Sequence, residues 1–117
     1  MKVVRITRKN EDFYLYMGKI FGSREIEKIT HDRFYDDEDK IWYVIEDRAA
    51  ASVKKDIIKN FWAEDDELAD AVLKEIVSRE NIKGGVLPAV FQDIYRVNGF
   101  SVSEYSRNFV EVTYEKD

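Results

Sequence analysis

The chain has 117 residues, 44% of them hydrophobic and 16 aromatic, which is enough apolar content for one folded core and too much for a disordered chain. It has no cysteine, which excludes disulfides and thiolate chemistry. No apolar run approaches the roughly 18 residues that span a bilayer. The start, MKVVRITRKNEDF, carries no apolar signal core, so a soluble cytoplasmic protein is the expectation. The net charge of −5 is uneven: residues 1–33 carry +3, residues 34–80 carry −7 and residues 81–117 carry −1. That balance argues against nucleic acid, whose phosphates demand cations. It suits a basic partner or a solvated acidic face.

Lys2 to Arg8 alternates around Val4 and Ile6 and predicts a first strand. Asn10 is placed to cap a helix with Glu11 and Asp12 in its first turn. Phe13, Tyr16, Met17, Ile20 and Phe21 fall on one helical face, and Gly22 is a stop. Ser23 caps a second helix with Ile26 and Ile29 inward. Asp36 to Lys40 reads as a charged, exposed connection. Ile41 to Glu46, Ala49 to Lys54 and Ile57 to Ala63 read as three strands joined by the short turns Asp47-Arg48 and Lys55-Asp56, an antiparallel meander. Asp65 to Glu80 is the strongest helix, with Leu68, Val72 and Ile76 recurring every fourth residue, acids at its start and Arg79 at its end. Lys83-Gly84-Gly85 reads as a break, Val86-Leu87 as a short strand, and Ala89 to Asn98 as a helix after Pro88, ended by Gly99. Phe100 to Tyr105 and Phe109 to Glu115 make a final hairpin around Ser106-Arg107-Asn108.

The resulting order is β-α-α-β-β-β-α-β-α-β-β. It predicts an α/β fold of α+β type over residues 1–117, one mixed and mainly antiparallel sheet flanked by helices. No internal repeat or Pro- or Gly-rich linker divides the chain.

With those residues in view, the chain resembles the GNAT N-acetyltransferase superfamily. Trp42 to Glu46 and Ala49 to Val53 look like that family's second and third strands, and Ile58 to Glu64 looks like the fourth. Leu68 to Arg79 looks like the long helix that follows. Val86 to Phe100 looks like the fifth strand and fourth helix, ending in the family's Tyr-x-x-x-Gly-Phe pattern as Tyr95, Gly99 and Phe100. The resemblance implies that the fourth strand splays from the fifth and that the pantetheine arm of acetyl-coenzyme A lies in the gap. Phe61, Trp62 and Ala63 would then line it, with Leu68 at the head of the helix. It implies transfer of an acetyl group to an amine, with Tyr95 as the general acid that protonates the departing thiolate. A phenol of pKa near 10 suits that task. A packed helix tyrosine is the other reading of Tyr95.

The chain departs from the family pattern where the cofactor's pyrophosphate is held. The family opens the long helix with a basic or glutamine residue and spaced glycines, so that backbone N–H groups meet the phosphates. Here Glu64, Asp65, Asp66 and Glu67 run straight into Leu68, with no glycine, arginine or lysine in that stretch. A helix end offers roughly half a positive charge, which four carboxylates outweigh. The expectation is weakened or lost acetyl-coenzyme A binding. The alternative function is a catalytically silent module that binds a protein partner through its acidic surface.

A general base would be a carboxylate such as Glu46 or Glu64. Neither acidic run has the spacing or glycine of a calcium loop, so no metal is expected. His31, the only histidine, reads as a surface residue, and Trp42, Tyr43, Phe61 and Trp62 read mainly as core. The free edge of the final hairpin allows a monomer or a homodimer.

Overall fold

The computed structural model of the chain describes residues 2–115. Its elements are β1 (Val4–Thr7), α1 (Phe13–Met17), α2 (Arg24–Thr30), β2 (Ile41–Ile45), β3 (Ala49–Lys54), β4 (Ile57–Ala63), α3 (Asp66–Arg79), β5 (Gly84–Pro88), α4 (Gln92–Val97), β6 (Phe100–Glu104) and β7 (Phe109–Tyr114). A single 3-10 turn, Ala89–Phe91, leads into α4. The expected element order is present, and the fold is α+β.

The seven strands form one sheet in the order β1-β2-β3-β4-β5-β7-β6. Every pairing is antiparallel except that of β4 with β5. Strand alternation separates the two faces. On one face Trp42 meets Phe21 and Phe34, at ring centroids 5.3 and 5.8 Å away, from the segments around α1 and α2. On the other, Tyr43 bonds to Glu80 at the end of α3, and Phe61 meets Tyr95 of α4. Asn98 ties α4 to α3 by donating to Asp70 at 2.9 Å. Among the described residues no helix is long and apolar enough to cross a membrane.

Two caps follow the sequence. Ser23 accepts the Ile26 N–H at 3.2 Å and starts α2. Asp65 accepts the Leu68 N–H at 2.9 Å and starts α3. Gly99, at φ +90°, ends α4 in the conformation that favours glycine.

Four expectations are corrected. Asn10 does not cap α1; its Oδ1 accepts the Thr7 N–H at 2.8 Å and closes a turn directly after β1, the short-range bond that asparagine favours. Ile29 does not face inward but is 41% exposed, because Ile26 and Thr30, four apart, take the inward line of this short helix. Asp36 to Lys40 is not wholly exposed, since Lys40 is only 7% exposed. Gly84 and Gly85 are not a break but the first two residues of β5.

Candidate functional site

β4 and β5 pair only at their first residues, Ile57 with Gly84 and Ile58 with Gly85. Beyond that point β4 stays on β3 while β5 stays on β7. Lys59–Ala63 and Val86–Pro88 therefore part, leaving a gap in the middle of the sheet. Two local features produce it. The register of β3 on β4 shifts between Ser52 and Val53, which face Asn60 and Ile58 and leave Lys59 as a bulge. A bulge bends its strand and increases its twist. The glycine pair sets the vertex: a Cβ at Gly85 would collide with the Ile58 carbonyl oxygen, and one at Gly84 with the Val112 carbonyl oxygen.

The gap is not empty on the α3 and α4 face. Phe61 packs edge-on against Phe91 and Tyr95, with centroids 5.5 and 5.4 Å apart. Tyr95 spans the opening, its ring on Phe61 of β4 and its hydroxyl donating at 2.9 Å to the carbonyl of Pro88, the last residue of β5. It is fully buried, and burial pushes its phenol pKa up. Its proton is thus held on a β5 carbonyl. Trp62 points to the opposite face by alternation, is 8% exposed, and its Nε1 is buried without a partner. Ala63 and Leu68 are buried beside the junction that follows.

That junction is two residues long. Glu64 and Asp65 connect β4 to α3, and Asp66 and Glu67 form the first turn of the helix. The Leu68 N–H, aimed out of the helix end, is taken by the chain's own Asp65 carboxylate. The sequence shows no cation in residues 64–67, but the fold supplies one from elsewhere. Arg48, in the β2–β3 turn, donates its Nε to Glu64 at 2.6 Å and approaches Asp65 at 3.9 Å. The Glu64 N–H donates to the Arg48 carbonyl at 2.8 Å. Beside Glu64 the Arg48 guanidinium pKa is raised. The signal for this contact lies in the hairpin register, because Ala49 pairs with Ala63 and so brings their neighbours together. Exposed pairs of this kind are worth at most about 1 kcal/mol. Glu46, Asp47, Glu64, Asp65, Asp66 and Glu67 are all exposed, so this end of the sheet stays acidic.

Across β4, on the α1 and α2 face, lies a polar cluster that sequence reasoning missed. Lys40 Nζ donates to Asn60 Oδ1 at 3.1 Å, and Ser52 Oγ donates to the same oxygen at 2.5 Å. Asn60 Nδ2 donates to Asp32 at 2.9 Å. The Lys40 ammonium also lies over the rings of Tyr35 and Trp42, at 4.6 and 5.6 Å. Burial lowers its pKa, against the pull of Asp37 and Asp32. These bonds fasten the 32–40 connection to β3 and β4, while the Trp42 Nε1 beside them is buried without a partner.

The candidate base Glu64 is paired with Arg48, at a different place from the Tyr95 hydroxyl. His31 is exposed and ends α2 with φ +59°. No family model, no curated protein and no solved structure matches the chain.

Proposed function

We propose that the chain is an acetyltransferase-like protein of the GNAT fold whose acetyl-coenzyme A site is closed by its own side chains, and that it serves as a protein-binding module. The family reading is supported by the strand order and by the parting of β4 from β5 after Ile58. The loss of cofactor binding is supported above all by one observation. The helix N–H that would meet a pyrophosphate is occupied by Asp65, with Glu64, Asp66 and Glu67 around it. An incoming phosphate would have to displace a carboxylate from its cap and then lie among the others. Each like-charge contact at about 4–6 Å costs roughly 1 kcal/mol or more near a surface, so two are enough for a tenfold or greater loss of affinity. The partner surface is the exposed acidic end around residues 46–47 and 64–67, and it suits a basic protein.

The gap itself, with Tyr95 placed between its two strands, favours a second reading in which acetyl transfer to an amine survives. Tyr95 is then the acid and Glu64 the base. A thiol-release assay with acetyl-coenzyme A and a panel of primary amines separates the two. The proposal predicts no thiol above the rate without protein. Turnover that is lost in Tyr95→Phe would establish the second reading instead. For the binding module, reversal of Glu64, Asp65, Asp66 and Glu67 to lysine is expected to abolish capture of basic partners, and unchanged capture rules out the acidic surface.

A further inference from the structure

The two edges of the sheet are built differently. β1 is flanked and interrupted by cations, Lys2, Arg5, Arg8 and Lys9. Charged residues on an edge strand, lysine above all, keep it from pairing with another chain. β6 ends the sheet on the other side. Its sequence, FSVSE, holds no proline and no cation, and its register on β7 is regular over all five residues. One edge is guarded and the other is left open.

The hairpin bonds fix which groups the open edge presents. The Tyr105 N–H donates to the Phe109 carbonyl at 3.3 Å. Antiparallel ladders alternate, so the backbone groups of Ser101 and Ser103 turn toward β7. Those of Phe100, Val102 and Glu104 turn outward. We propose that β6 pairs antiparallel with β6 of a second copy of this chain, with the two-fold axis at Val102.

This register is the only one that pairs all five residues of both strands. It sets Phe100 opposite the second copy's Glu104, and Val102 opposite its own equivalent. These are the outward-facing residues, so about six hydrogen bonds form. Ser101 falls opposite Ser103, in the closer, non-hydrogen-bonded type of pair. No like charges meet, because Glu104 faces a phenylalanine. The next residues outward set Tyr105 over Gly99, an aromatic-on-glycine cross-strand pair. Tyr105, directly after β6, is 63% exposed in the single chain. In this register it lies against the second copy's Gly99.

Ser101 and Ser103 are exposed and point to the face opposite α4, alongside Thr113 and Glu111. They can be changed without touching the core. Sedimentation equilibrium of the full chain is expected to give twice the chain mass. The doubly substituted Ser101→Lys, Ser103→Lys chain places like charges directly across the axis and is expected to be monomeric. So is Ser101→Glu, Ser103→Glu. An equimolar mixture of the two is expected to return to dimer, because each lysine then faces a glutamate. Wild-type chain that remains monomeric up to about 1 mM overturns the proposal. So does a lysine variant that stays dimeric, or a mixture that stays monomeric while both variants keep the wild-type circular dichroism.

Discussion

Single side chains carry most of what distinguishes this molecule. Asp65 caps α3 by accepting the Leu68 N–H, the helix-end donor that an incoming anion would otherwise meet. Removing a cap of this type costs about 1 kcal/mol, so Asp65→Ala is expected to lower the urea midpoint by a corresponding amount. Stability equal to wild type would mean that the cap contributes nothing. Tyr43 joins the Arg5 and Glu80 side chains between β1, β2 and α3. Burial, with help from the Glu80 bond, pushes its pKa up to about 12. The folded chain therefore holds this proton longer than the unfolded chain, whose phenol titrates near 10. The stabilisation is complete below pH 10 and is lost as pH rises from about 10 to about 12. Denaturant titrations across that range are expected to show a steep fall for wild type and a shallower one for Tyr43→Phe. The fall persists in part because buried Tyr95 shifts in the same direction. An identical slope in both proteins contradicts the assignment.

At the level of elements, what the sequence revealed depended on how local the cause was. The β2–β3–β4 meander was legible because short turns, Glu46 to Arg48 and Lys55-Asp56, join its strands, even though Ala49, Ala50 and Ala51 are weak strand formers. Those alanines are fully buried, in a sheet that α3 crosses at β2, β3 and β4. α3 was legible from its fourfold repeat and its acidic start. α1 was legible in its start but not in its end, because its apolar spacing continues through Ile20 after the helix ends at Met17. Gly84 and Gly85 were misread because two glycines in a row signal a loop by propensity. Their reason is tertiary: neither position has room for a Cβ between neighbouring strands. The candidate site was legible as a gap bordered by Phe61 and Tyr95 and as an acidic junction. Arg48 and the Lys40–Asn60–Ser52 network were not, because the Arg48–Glu64 and Ser52–Asn60 contacts depend on the residue-by-residue register of β3 on β4, and Lys40 reaches Asn60 from outside that hairpin. Gly85→Val tests the vertex. The added side chain must push β5 away from Ile58, and a loss of about 1–3 kcal/mol is expected from such overpacking. A thermal midpoint unchanged from wild type would show that the strands part for another reason.

On the scale of the whole molecule, the sheet parts after Ile58, and its own side chains occupy the opening. Phe61, Phe91 and Tyr95 fill one face, Asp65 closes the helix end, and six exposed carboxylates surround the junction with Arg48 offsetting two of them. The proposal that acetyl-coenzyme A does not bind here rests on this closure. Calorimetric titration with acetyl-coenzyme A, at low and at moderate salt, tests it most directly. No heat of binding is expected up to about 1 mM ligand at either salt. Micromolar binding, strongest where salt screens the carboxylates, would contradict it and favour the acetyl-transfer reading.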